Sequence, residues 1–77
     1  MNTFHEKVTQ VKFLDEYGNI VTVNLDDLTS ESLSIEDHYS IVNILKRCFD
    51  TDVIVLEYRI KMSSAQDEYD KWISVHE

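Results

Sequence analysis

Residues 25–37, LDDLTSESLSIED, hold five carboxylates (Asp26, Asp27, Glu31, Glu36 and Asp37) and no basic side chain. Clustered carboxylates bind calcium when their spacing matches a loop, so register decides whether this stretch has metal chemistry. An EF-hand loop needs oxygen ligands at positions 1, 3, 5 and 12, and glycine at position 6. Counted from Asp26, position 3 is Leu28 and position 6 is Glu31; counted from Asp27, position 6 is Ser32 and position 12 is His38. Neither register works, and no metal site is expected here.

Softer metals and nucleophilic catalysis would draw on His5, His38, His76 and Cys48. Zinc sites bring such residues together at short, regular spacings. His38 and Cys48 lie ten residues apart, which on one helix leaves them about 80° out of line. Cys48 therefore reads as a small apolar core residue and His38 as a half-buried helix residue. No base is aligned to activate the thiol. Gly18 is the only glycine, so no glycine-rich loop exists to cradle a phosphate. The chain is expected to be no enzyme and to carry no cofactor.

Charge narrows the partners. The net charge is −8, with five acids and no base in residues 26–37. Like charges repel, so a nucleic-acid backbone or an anionic membrane is disfavoured as a partner. Lys7, Lys12, Arg59 and Lys61 form at most a small basic patch. A protein with a basic surface fits better. Asp26, Asp27, Glu31, Glu36 and Asp37 are the candidate contacts, with Tyr69 and Trp72 as aromatic anchors that bury much area with few rotors. An alternative is nucleic-acid mimicry, in which these carboxylates, with Asp15 and Glu16, stand in for phosphates in the basic groove of a DNA- or RNA-binding enzyme.

These residues must be positioned by a small frame. Seventy-seven residues suit one domain, 1–77, near the lower limit for an unaided core. No apolar run reaches the ~18 residues that span a bilayer. The start, MNTFHEKVTQ, lacks a signal-peptide pattern. One cysteine fits a reducing compartment, so a cytoplasmic location is expected.

Phe4 to Leu14 alternates as a strand, but its parity changes between Val8 and Val11, which predicts a bulge near Thr9–Gln10. Asp15 to Asn19 reads as a hairpin turn around Gly18, and Ile20 to Leu25 as the returning strand. Ser34 with Asp37 three residues on resembles a capping box at the start of a helix. On that helix Ile35, Tyr39, Val42, Leu45 and Phe49 share a face, which Ile41, Ile44 and Cys48 widen. Asp52 to Met62 is a third strand, with Ile54, Leu56, Tyr58, Ile60 and Met62 on one side. Val53, Val55, Glu57, Arg59 and Lys61 take the other. Ala65, Tyr69, Trp72 and Ile73 then recur at helical spacing after Ser63 or Ser64.

The expectation is an α+β fold, β-β-α-β-α, with a three-stranded antiparallel sheet in the order 2-1-3 and both helices on one face. Both outer strands would be edges. The functional expectation is a small acidic protein-binding module that inhibits or regulates another protein. Phage and mobile-element regulators are its class-level analogues. A third expectation is a structural subunit that forms a homodimer through an edge strand or the bare sheet face.

Overall fold

The computed structural model describes residues 5–63 and 68–75. Its elements are β1 (His5–Asp15), β2 (Ile20–Asn24), α1 (His38–Phe49), β3 (Val53–Ser63) and β4 (Glu68–Ser74), with 3-10 turns at Leu25–Asp27 and Ile35–Asp37. The strands form an antiparallel sheet in the order β2-β1-β3-β4. The result is a small α+β domain, with four strands and one α-helix among the described residues rather than three strands and two helices. No helix among the described residues is long and apolar enough to cross a membrane.

The segment expected to be a second helix is β4. Ala65 lies outside the described residues, which removes the start of the expected helical stripe. From Glu68 onward the sequence alternates, with Tyr69, Lys71 and Ile73 in one register and Asp70, Trp72 and Ser74 in the other. Seven residues rich in aromatic and β-branched types gain little as an isolated helix. Beside β3 they gain a full ladder, so β3 is an inner strand and the edges are β2 and β4.

Two bulges set which side chains face the helix. Thr9 is an extra residue on β1, between the pairs Val8–Ile60 and Gln10–Arg59, where the parity break lies. Its hydroxyl donates to the Arg59 carbonyl at 3.2 Å. Leu56 is an extra residue on β3, between the pairs Lys12–Glu57 and Phe13–Val55. This second bulge overturns the expected parity of β3. Val55 is buried together with Tyr58, Ile60 and Met62, while Ile54 is 56% exposed on the opposite face.

The core comprises Val8, Val11 and Phe13 of β1, Val55, Tyr58, Ile60 and Met62 of β3, and Leu25, Leu33, Ile41 and Leu45. Burying such side chains contributes about 1.5–3 kcal/mol each. The buried stripe of α1 centres on Ile41 and Leu45. Of the expected face Ile35, Tyr39, Val42, Leu45 and Phe49, Leu45 is in the core and Ile35 and Val42 pack against it, while Tyr39 and Phe49 are exposed. Tyr39 is 82% exposed. Phe49 is partly exposed but tilts against Phe13, with ring centroids 5.4 Å apart. Cys48 is exposed rather than in the core, because it lies in the last turn of the helix and borders a surface groove.

Local chemistry fixes the boundaries. Gly18 holds φ +83° in the hairpin turn, a conformation that costs glycine little. Ser34 and Asp37 form the reciprocal capping box. Asp50 ends α1 in the left-handed region at φ 50°, which Asp tolerates better than most residues.

Candidate functional site

With α1 on one side, the other face of the sheet has no layer over it among the described residues. Cross-strand partners share a face, so register orders this open face into rows. The row nearest the hairpin is Ile20, Leu14 and Ile54. The next is Thr22, Lys12, Glu57 and Ser74, and the third is Asn24, Gln10, Arg59 and Trp72. The last holds Lys7, Lys61 and Asp70.

Polar side chains lace the rows together. Gln10 Nε2 donates to Asn24 Oδ1 at 2.7 Å, and Arg59 Nη1 donates to Gln10 Oε1 at 3.0 Å. Arg59 Nε donates to Asp70 Oδ1 at 3.0 Å, so this chain of contacts crosses all four strands. Lys12 Nζ lies 3.0 Å from Glu57 Oε2 and 4.9 Å from the centre of the Trp72 ring. Exposed ion pairs add at most about 1 kcal/mol of stability each. Their effect here is positional, because they hold the side chains around Trp72 in one arrangement.

The apolar part of this face is considerable for so small a protein. Ile20 is 65% exposed, Ile54 56% and Trp72 37%, and Leu14 between them is half-buried. Tyr17, 79% exposed, stands at the adjoining hairpin. The sequence reading placed Val53 and Val55 on this face and missed Leu14, Ile20 and Ile54. The alternation of β1 carried the signal for Leu14, since Phe13 and Leu14 must point to opposite sides.

The predicted contact residues fall in separate places. Asp26 and Asp27 are exposed in the turn after β2, beside a shallow depression of about 480 Å³ that Arg59, Lys61 and Asp70 also line. Asp26 pairs with Lys7 Nζ at 3.0 Å. Asp27 Oδ2 accepts from Asn24 Nδ2 at 3.5 Å. Glu31 is exposed at a different groove, of about 550 Å³, whose wall includes Arg47 and Cys48 of α1. Glu36 is exposed at the entry to α1. Asp37 has a structural duty, since its Oδ2 accepts from the Ser34 backbone N–H at 2.9 Å. Tyr69 lies in register with Met62, and its side chain is outside the described residues. Only Trp72 of the set lies in the laced rows.

His38 is half-buried at the start of α1, as expected, with Nδ1 2.5 Å from the hydroxyl of the buried Tyr58. The two rings meet edge to face at 5.9 Å. Among the described residues no three His, Cys, Asp or Glu side chains group as a metal site. No family model, curated protein or solved structure matches this chain.

Proposed function

We propose that this chain is a small acidic protein-binding module that regulates or inhibits another protein by docking it on the open face of the sheet. One observation carries the reading: Ile20, Leu14, Ile54 and Trp72 share one face of the sheet that no layer covers among the described residues, with polar side chains laced around Trp72. Exposed aromatic and aliphatic groups of this kind, ringed by satisfied polar contacts, are the usual anchors of a protein interface. Asp26 and Asp27 lie at one margin of the face, where they would steer a partner with a basic surface. The same reading includes pairing of two copies of the chain through a free strand edge.

Affinity capture from the native host, followed by mass spectrometry, tests the docking face. Trp72→Ala and Ile54→Ser are each expected to weaken partner retention at least about tenfold while circular dichroism stays that of the parent. Asp26→Asn/Asp27→Asn/Glu31→Gln is expected to slow association and reduce its salt dependence, with a smaller loss of affinity. Retention that ignores Trp72 and Ile54 but collapses with the acids would replace this reading by nucleic-acid mimicry.

A further inference from the structure

We propose that the outer edge of β2 pairs with β2 of a second copy, antiparallel and centred on Thr22, joining two four-stranded sheets into one of eight strands. The inference rests on the self-association part of the proposed function and adds the edge, the register and the residue on the two-fold axis.

The two edges of the sheet are β2 and β4, and they differ in charge. β4 displays exposed Asp70 and Lys71, and charged side chains on an edge strand discourage pairing with another chain. β2 reads Ile-Val-Thr-Val-Asn, with no charge, proline or glycine. Its register with β1 runs unbroken from Ile20 to Asn24, so no bulge turns the edge away. Among the described residues β2 pairs only with β1. Such an edge is a template for another strand.

Self-complementarity selects a second copy as that strand. In a two-fold interface residue i meets j, and j meets i. With Thr22 on the axis, Val21 lies opposite Val23 of the partner subunit, and Val23 opposite the partner's Val21. Both valines are half-buried against the core on the helix side, so pairing covers their remaining surface and extends one core into the other. On the open side the row leading to the axis is Glu57, Lys12 and Thr22. Lys12 is held by Glu57 at 3.0 Å, and its charge is therefore balanced before the axis is reached.

A five-residue ladder is about 17 Å long. So small an interface gives a weak dimer, with Kd between about 1 μM and 1 mM. Each copy carries net charge −8, so the dimer should tighten as salt screens that repulsion.

Analytical ultracentrifugation of the full chain with one designed pair of variants tests the register. Thr22 is exposed and lies opposite Lys12. Thr22→Glu therefore faces a lysine within one copy, but faces itself across the axis. The wild-type mass is expected to rise with concentration from 9.1 kDa toward twice that value. Thr22→Glu and Thr22→Lys should each weaken the dimer at least about tenfold, with unchanged circular dichroism, and an equimolar mixture of the two should restore it. A wild-type chain that stays at the monomer mass up to about 1 mM overturns the proposal. So does a dimer that Thr22→Glu leaves intact, or one that the mixture fails to restore. The capture experiment is scored on Trp72 and Ile54, so failure of either reading leaves the other readout standing.

Discussion

Asp15 shows what a single carboxylate contributes to this fold. Its Oδ1 accepts from the backbone N–H groups of Tyr17 at 2.9 Å and Asn19 at 2.8 Å, and its Oδ2 accepts from Asn19 Nδ2 at 3.4 Å. The Asn19 backbone N–H is the main cause of a carboxyl pKa below the ordinary aspartate value; partial desolvation opposes it, and the Tyr17 N–H adds to the lowering. A depressed folded pKa stabilises fully above the unfolded value of about 3.9, and that stabilisation is lost as pH falls through the lower folded value. Carboxyl chemical shifts followed by NMR should give Asp15 a midpoint below about 3.9. A midpoint at or above it would contradict the turn geometry. Asp15→Asn should flatten the acid response of the Tyr17 and Asn19 amides. Residue types made much at this scale legible: Gly18 marked the turn, Ser34 and Asp37 marked the cap, and each does that job. The acidic segment was less legible, because composition groups Asp26, Asp27, Glu31, Glu36 and Asp37 while the chain path separates them.

Among the elements, the 3-10 turn that leads into α1 has its start fixed by the reciprocal box between Ser34 and Asp37. Ser34→Ala should lower unfolding stability by about 1 kcal/mol, read from urea denaturation. Tyr39→Ser, on the exposed side of the same helix, should stay within about 0.5 kcal/mol. Equal losses for the two variants would count against the cap. The strands show where sequence reading stops. The Thr9 bulge was legible because Val8 and Val11 break the alternation of β1. The Leu56 bulge was not, because Val53, Ile54, Val55 and Leu56 are all apolar and fit either phase. Only pairing with β1 decides, by placing Val55 opposite Phe13, and that misreading hid Ile54 from the candidate surface. β4 was misread for a related reason. Tyr69, Trp72 and Ile73 satisfy a helical stripe and Tyr69, Lys71 and Ile73 a strand, and the free edge of β3 chooses between them.

For the whole molecule, fifteen acidic against seven basic residues give the net charge of −8. Most of the charged side chains among the described residues are exposed, so self-repulsion weakens the folded state. Raising salt from about 10 mM to 500 mM shortens the Debye length from about 30 Å to a few ångströms, and the melting temperature should rise as the repulsion fades. Thermal melts at both ionic strengths check this; a fall would mean that the pairs Lys7–Asp26, Lys12–Glu57 and Arg59–Asp70 outweigh the net repulsion. The strand order has a consequence in time as well. β1 lies between β2, which follows it after one turn, and β3, which begins at Val53. The hairpin and the capped helix are local and should form early, whereas the β1–β3 ladder closes a long loop and should set the pace of folding. During synthesis the chain emerges at roughly 5–20 residues per second. For the seconds before β3 arrives, β1 has its far edge unpaired. In that interval β1 offers an unpaired edge on which aggregation can start, in addition to the β2 edge that the finished sheet keeps.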